Sequence, residues 1–142
     1  RHPAVLPPQL PQKAGLLARK TVMDRAETGR KGEAVAARFY EKQGAKLLVH
    51  SYHARAGEID LILREADGTL VFCEVKTRAA DSLDTPAAAV TKAKQRRILR
   101  TAMLYLQRTD QSDVPMRFDV AEVTPLDSGR WMVHIIRGAF TA

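Results

Sequence analysis

Two neighbouring stretches, GEIDLI at residues 57–62 and FCEVKTR at residues 72–78, decide the fold of this 142-residue chain. Each is an apolar run that departs from the usual pattern of a buried strand, because it carries ionisable side chains at Asp60, Glu74 and Lys76. An unpaired charge in such a place would cost several kcal/mol. The three side chains are therefore expected to compensate one another or to bind a ligand.

The spacing of these residues brings them to one place on a sheet. Glu74 and Lys76 are two residues apart, so they lie on the same face of a strand. Asp67-Gly68, between the two stretches, is a strong signal for a β-hairpin turn. A short hairpin that turns there places Asp60 approximately opposite Glu74, whereas a slip of one residue would move it to the other face.

Two carboxylates beside a lysine suit a hard divalent cation. Mg²⁺ prefers oxygen ligands and is commonly held by one or two carboxylates together with waters and a phosphate. Asp60 and Glu74 are thus candidate ligands of Mg²⁺ or Mn²⁺. The alternative is a partly buried ion pair between Lys76 and one of the two carboxylates, without a catalytic purpose.

The remaining pattern predicts an α/β fold, a mixed β-sheet flanked by helices in the order α-β-β-β-α-β-β. We expect helices over residues 29–43 and 87–107, and strands over residues 46–52, 58–64, 70–77, 117–123 and 131–137. Gly44 is a good stop for the first helix. The buried stripe of the second helix is expected to be Ile98, Leu99, Ala102, Tyr105 and Leu106.

Charge and proline content separate the two ends of the chain. Four of the seven prolines lie in the first eleven residues. Residues 1–31 hold seven Lys and Arg against two acids, so they carry +5 of the net charge of +7. We therefore expect residues 1–24 to form a poorly ordered, Pro-rich basic extension and residues 25–142 to form a single domain.

A local basic run is a better indication of phosphate binding than the net charge. Within residues 92–100 there is no acid. The candidate phosphate contacts there are Lys92, Lys94, Arg96, Arg97 and Arg100, and Arg78 after the second motif is a further one. A solvated helix face would also explain this run. Lys94 lies nearer the apolar stripe than Lys92 or Arg96, so it is expected to reach the site.

Several other residues are expected to be structural. Cys73 is the only cysteine, which favours a buried thiol and a reducing, cytoplasmic setting. Asp119 is expected to form a core pair with Arg117 or a neighbouring basic residue, and Glu58 to face solvent or pair with Arg55. No apolar run approaches about 18 residues, so no membrane span is expected.

The motifs together resemble the YraN-like family of bacterial proteins, within the PD-(D/E)xK or restriction-endonuclease-like nuclease superfamily. The resemblance covers about residues 28–138 and rests on GRKGEAVAARFYEKQGAKLL, GEIDLI, FCEVKTR, AVTKAKQRRI and RFDV in this order. Archaeal Holliday-junction resolvases are similar at a greater distance. The resemblance implies a restriction-endonuclease-like sheet.

The same resemblance implies roles for individual residues. The metal-binding aspartate of the superfamily falls on Asp60, and the acid and lysine of its E-x-K motif fall on Glu74 and Lys76. The helix glutamate of the resolvases falls on Glu33, although a carboxylate favoured by the dipole at a helix start would explain that residue equally well. The carbonyl of Val75 is a further expected metal ligand.

The implied activity is metal-assisted hydrolysis of phosphodiester bonds, with Lys76 orienting the attacking water. DNA is the expected partner in preference to RNA, and recognition of its structure in preference to its sequence, because no base-reading module is visible. A homodimer is expected if a junction is cleaved at two sites. The alternative is a binding protein that keeps the nuclease fold without hydrolysis, in which two carboxylates would repel phosphates unless a cation intervened.

Overall fold

The strands and helices follow one another along the chain in nearly the order that the sequence predicts. The computed structural model describes residues 3–6, 22–79 and 90–141. In chain order the elements are β1 (Ala4–Leu6), α1 (Val22–Lys42), β2 (Lys46–Ala54), β3 (Gly57–Arg64), β4 (Leu70–Thr77), α2 (Lys92–Arg108), β5 (Met116–Pro125) and β6 (Trp131–Phe140). A short 3-10 turn at Asp127–Gly129 lies between the last two strands.

The strands form a mixed sheet in the order β1-β6-β5-β4-β3-β2. β4 and β5 are parallel, and the other neighbouring pairs are antiparallel. Parallel neighbours need a crossover connection, and here that connection contains α2. The two helices cover opposite faces of the sheet. This is the predicted α/β class, and it is compatible with the restriction-endonuclease-like fold.

The face covered by α1 has a largely aliphatic core. Val35 and Tyr40 of α1 are fully buried against apolar side chains of β3, β4, β5 and β6. The helix approaches the sheet most closely at Gly32, where a Cβ atom would overlap the Thr77 Oγ1 atom. Because Glu33 is the next residue, this close approach brings its carboxylate to the sheet.

The face covered by α2 contains the stripe predicted for that helix. Ile98, Ala102 and Tyr105 are buried, and Leu99 and Leu106 are half-buried against the same cluster. The prediction of this stripe is therefore confirmed. Within the described residues, no helix combines the length and the apolar character that a bilayer crossing would need.

Three local predictions are also confirmed. Gly44, just after α1, has φ of 97°, and Gly68 in the β3–β4 turn has φ of 95°. Both angles lie in the left-handed region that glycine adopts without strain. The Asp67 carboxylate accepts a hydrogen bond from the Thr69 N–H in the same turn. Cys73 is a buried free thiol.

The N-terminal expectation was wrong for Ala4–Leu6. These residues form β1, which pairs with Trp131–Val133 of β6, and Leu6 is buried in the core on the α1 side. Proline excludes a segment from the middle of a sheet, but this three-residue stretch contains none and lies at the sheet edge. The predicted order of elements therefore lacks its first strand. Most of residues 1–24 lie outside the described part of the chain.

The two helix starts also differ from the prediction. α1 begins at Val22, before the predicted start at Gly29. Gly29 and Gly32 therefore lie inside the helix, where each glycine costs about 1 kcal/mol relative to alanine and is tolerated. α2 begins at Lys92, since the Thr91 side chain accepts a hydrogen bond from the Lys94 N–H and caps the helix. The predicted helical residues 87–89 lie outside the described residues.

Candidate functional site

The β3–β4 hairpin brings the two motif carboxylates together. Leu61 pairs with Cys73, so the next step of this register places Asp60 opposite Glu74. The ladder stops there, because the Val75 N–H donates to the Asp60 Oδ2 atom at 2.8 Å. A backbone donor of β4 is thus used to hold a side chain of β3, and the carboxylate is fixed at the point where the strands separate.

The alternation of side chains along β3 breaks at the same point. Ile59 and Ile62 both belong to the core on the α2 side, although they are three residues apart, and Leu61 belongs to the core on the α1 side. Ser51, in the middle of the adjacent strand β2, has φ of 61°. Strict alternation would therefore have misplaced either Ile59 or Asp60.

Glu74 is neutralised by a lysine from α2. Its side chain is 10% exposed, and the Lys94 Nζ atom lies 2.5 Å from its Oε2 atom. Lys94 is in the first turn of α2, and its side chain reaches Glu74 on β4 from there. The sequence expectation that Lys94 reaches the site agrees with this contact, but its partner is a carboxylate of the protein.

The pKa of Asp60 reflects its burial and three charged neighbours, Glu74, Glu33 and Lys94. Burial raises the pKa of Asp60 to about 7, and the negative charges of Glu74 and Glu33 act in the same direction. The hydrogen bond from the Val75 N–H and the positive charge of Lys94 act against this rise in pKa. A carboxyl whose pKa is raised by neighbouring carboxylates is a group for which a bound cation would be favourable.

Glu33 joins the site from α1 together with a histidine that the sequence analysis did not single out. The Glu33 Oε1 atom lies 2.8 Å from the His50 Nε2 atom on β2. Glu33 lies well inside α1, so the alternative explanation of a carboxylate at a helix start was wrong. His50 has no motif spacing, and only the packing of α1 across the sheet reveals its contact.

Lys76 lies beside the site without an ion pair to either carboxylate. It is half-buried on the same strand as Glu74, and in the parallel pair of β4 and β5 it is level with Glu122. Among the described ion pairs none joins Lys76 to Asp60 or Glu74. The alternative of a simple structural ion pair with Lys76 is therefore wrong.

The donor chemistry fits a hard divalent cation. Asp60, Glu74 and the Val75 carbonyl supply oxygen atoms, and one or two carboxylates with waters are a common Mg²⁺ site. In the described residues, no three Asp, Glu, His or Cys side chains are already close enough together to hold a metal ion. Glu33, paired with His50, is best suited to bind a cation through water.

The candidate phosphate contacts divide into two groups. Four are exposed on α2, and within the described residues they form no ion pair: Lys92, Arg96, Arg97 and Arg100. Arg78 differs, because its Nη1 atom lies 2.8 Å from the Glu122 Oε2 atom and its side chain is only 12% exposed. Arg78 is thus committed to the protein, and the exposed basic face belongs to α2.

Asp119 and Glu58, which were expected to be structural, have partners outside this site. Asp119 is fully buried and accepts hydrogen bonds from the Arg117 Nε atom at 2.8 Å, so the predicted core pair is confirmed. Glu58 is largely exposed, as predicted, with the His53 Nδ1 atom 3.1 Å from its carboxylate.

Comparison with known proteins gives the family of the chain. The profile described as "Uncharacterised protein family UPF0102" matches residues 32–123. A UPF0102 protein from Symbiobacterium thermophilum is 46% identical over 80% of this chain and 96% of its own length. Another from Desulfosudis oleivorans is 42% identical over 83% of this chain and 93% of its own length. A third from Nocardia farcinica is 39% identical over 89% and 98%. The chain therefore belongs to family UPF0102, the YraN-like proteins.

Proposed function

We propose that this protein is a metal-dependent nuclease that hydrolyses phosphodiester bonds, with DNA of a particular structure as its substrate. The observation that carries the proposal is the pairing of half-buried Asp60 with buried Glu74 where β3 and β4 separate, next to the basic face of α2. Two adjacent carboxylates that are largely shielded from water are unfavourable without a cation. A phosphate would be repelled by them unless a cation intervened.

The oxygen atoms of the site have distinct roles in this proposal. Asp60 and Glu74, with the Val75 carbonyl, would hold Mg²⁺ or Mn²⁺, and Glu33 would contribute through water. Such a cation, when bound, polarises the scissile phosphate and lowers the pKa of a bound water. The Val75 N–H keeps the Asp60 carboxylate oriented before substrate arrives.

Lys76 is the group proposed to orient the attacking water and to offset the charge that develops on the phosphate. It lies on the same strand face as Glu74, and neither site carboxylate holds its Nζ atom in an ion pair. A cation aimed at developing charge stabilises a transition state more than a ground state. Lys76 therefore acts as an electrostatic group in this proposal, and it is not a general base.

The exposed cations of α2 are proposed to bind the phosphate backbone. Lys92, Arg96 and Arg100 recur at intervals of four, so they form one ridge of the helix that begins at the site. Phosphate contacts of this kind position a substrate without reading its sequence. On duplex DNA, log affinity should fall linearly with log salt, with a slope of roughly 0.9 for each phosphate neutralised.

The test is cleavage of labelled linear, flapped and four-way DNA, and of a structured RNA, with Mg²⁺ or Mn²⁺. Asp60→Asn should lower the rate by about 10³-fold, as expected from several kcal/mol of lost metal-assisted stabilisation. Lys76→Gln should lower it by about 10²-fold, as for loss of one preorganised charge. Glu58→Gln removes an exposed carboxylate two residues from Asp60 and should leave the rate unchanged.

The outcomes separate the enzyme from its alternative. A rate lost in both site variants and kept in Glu58→Gln supports the nuclease and identifies its preferred substrate. Cleavage that survives Lys76→Gln contradicts the role given to that lysine. Salt-sensitive binding with no cleavage of any substrate would favour a binding protein that keeps the nuclease fold.

A further inference from the structure

Lys94 occupies an unusual position between the carboxylate site and the basic face of α2. Its Nζ atom contacts Glu74, whose side chain is 10% exposed, while the Lys94 side chain is itself 40% exposed. A single flexible cation therefore neutralises the buried site and also reaches solvent.

A divalent cation and Lys94 would compete for the same carboxylate. A buried carboxylate needs a partner charge, and removal of that partner is strongly unfavourable. A metal ion bound by Glu74 would supply this charge and would repel the Lys94 ammonium group at short distance. The contact that holds Lys94 in the site is thus favourable only while no divalent cation is present.

The backbone of Lys94 is fixed, so only its side chain needs to move. The Lys94 N–H donates to the Thr91 Oγ1 atom at 3.1 Å in the N-terminal cap of α2. Lysine has a flexible four-carbon stem and a compact, strongly hydrated charge. Rotation of this stem moves the ammonium group away from Glu74 and into solvent at the start of α2, since the side chain is already 40% exposed.

We propose that Lys94 is an exchangeable counter-ion, which neutralises Glu74 in the metal-free protein and turns to a substrate phosphate when a divalent cation binds. This inference rests on the proposed nuclease function. It makes metal binding and nucleic-acid binding mutually favourable, because each releases or recruits the same cation. Such coupling is reciprocal by thermodynamic necessity.

The first measurement is Mn²⁺ binding to the full chain without nucleic acid, followed by electron paramagnetic resonance. Lys94→Met removes the competing charge, so it should tighten Mn²⁺ binding by at least about fivefold, the lower end of usual coupling between sites. Lys94→Arg keeps the charge and should bind Mn²⁺ like the parent. Lys92→Met is the matched control on the same turn and should also leave Mn²⁺ affinity unchanged.

The second measurement is binding of flapped DNA with and without Ca²⁺, with the DNA checked to be intact afterwards. In the parent, Ca²⁺ should tighten DNA binding, and in Lys94→Met this effect should be smaller, because Ca²⁺ still shields the carboxylates but no lysine is released to contact a phosphate. Lys92→Met should weaken DNA binding equally with and without the metal, because it removes a phosphate contact that is independent of Glu74.

The failures of the two proposals are distinguishable. Equal Mn²⁺ affinity in the parent and a folded Lys94→Met overturns the exchange and leaves the nuclease proposal intact. Absence of Mn²⁺ binding in the parent and in every Lys94 variant overturns both. If Lys94→Met does not fold, Lys94→Gln removes the charge with a polar side chain and is expected to give the same increase in Mn²⁺ affinity.

Discussion

Two acidic residues of the same sheet, Asp119 on β5 and Asp60 on β3, have very different surroundings. Asp119 is fully buried and accepts hydrogen bonds from the Tyr40 hydroxyl at 2.7 Å, the Arg117 side chain at 2.8 Å and the Gly138 N–H at 3.0 Å. Asp60 accepts a backbone hydrogen bond and has other carboxylates as its neighbours. One site is saturated with donors and the other is short of positive charge.

The surroundings of Asp119 form a closed network. Arg117 binds Asp119 and also donates to both Glu65 oxygens, at 2.9 Å and 3.0 Å. The hydrogen bonds to Asp119, and to a lesser extent those to Glu65, raise the pKa of Arg117. Burial raises the pKa of the Tyr40 hydroxyl. Saturated networks of this kind specify a unique core and need no ligand.

The surroundings of Asp60 hold an excess of negative charge. Glu74 and Glu33 are close to Asp60, Lys94 contacts Glu74, and half-buried Lys76 lies beside the site without an ion pair to Asp60 or Glu74. His50 adds a positive charge only when it is protonated. The comparison teaches that a buried acid in a strand motif is not by itself a functional signal, whereas an excess of acids over cations marks a place for a ligand.

The largest expected effect on stability comes from opening the saturated network. Asp119→Asn removes the buried negative charge that faces Arg117, and it should lower the free energy of unfolding by about 3 kcal/mol, at the lower end for a broken buried ion pair. Urea-induced unfolding measures this change. The folded variant should still cleave DNA. A loss of cleavage at unchanged stability would contradict the purely structural role given to Asp119.

The next effect has the opposite sign and depends on pH. Between about pH 4 and pH 7 the folded protein holds the Asp60 proton that the unfolded chain has lost, so stability should fall as the pH rises through this window. Asp60→Asn keeps the acceptor for the Val75 N–H and has no proton to lose. At pH 8 and without divalent cations, the free energy of unfolding of Asp60→Asn should exceed that of the parent by about 1–3 kcal/mol, because each unit by which folding raises a pKa corresponds to about 1.4 kcal/mol.

This second prediction is checked by urea-induced unfolding at pH 4.5, 6 and 8 in the presence of a chelator. The difference between Asp60→Asn and the parent should be smallest at pH 4.5 and largest at pH 8. If the difference in the free energy of unfolding between Asp60→Asn and the parent does not depend on pH, then ionisation of Asp60 does not destabilise the folded protein.

The smallest effect concerns one hydroxyl at the edge of the network. Tyr40→Phe removes the hydrogen bond to Asp119 and should destabilise the fold by about 1–2 kcal/mol, as for a hydrogen bond to a charged group. Tyr52→Phe is the matched control, because the buried Tyr52 hydroxyl has no hydrogen-bond partner among the described residues. It should be neutral or slightly stabilising. Equal losses in both variants would contradict the role given to the network.

Local patterns were sufficient to predict much of the fold. Asp67-Gly68 set the turn of the hairpin, and its register places Asp60 opposite Glu74. The stripe of α2 followed from helical spacing alone. The boundaries were less predictable, since Gly29 suggested a helix start in a place where the packed helix tolerates it.

Contacts between distant segments could not be predicted in the same way. No spacing rule indicates that His50 lies beside Glu33, or that Lys94 rather than Lys76 contacts Glu74. These pairs depend on where α1 and α2 settle on the sheet. Gly32 and the apolar stripe of α2 fix those positions, through packing that involves the whole core.

The sequence by itself determined the mixed α/β class, the hairpin and the acidic motif, because turn chemistry and side-chain periodicity act over a few residues. Only the tertiary structure decided that Lys94 neutralises Glu74 and that Asp119 is fully hydrogen-bonded within the core. It also placed Ala4–Leu6 on the sheet edge. Those outcomes depend on burial and charge compensation, and both are properties of the assembled fold.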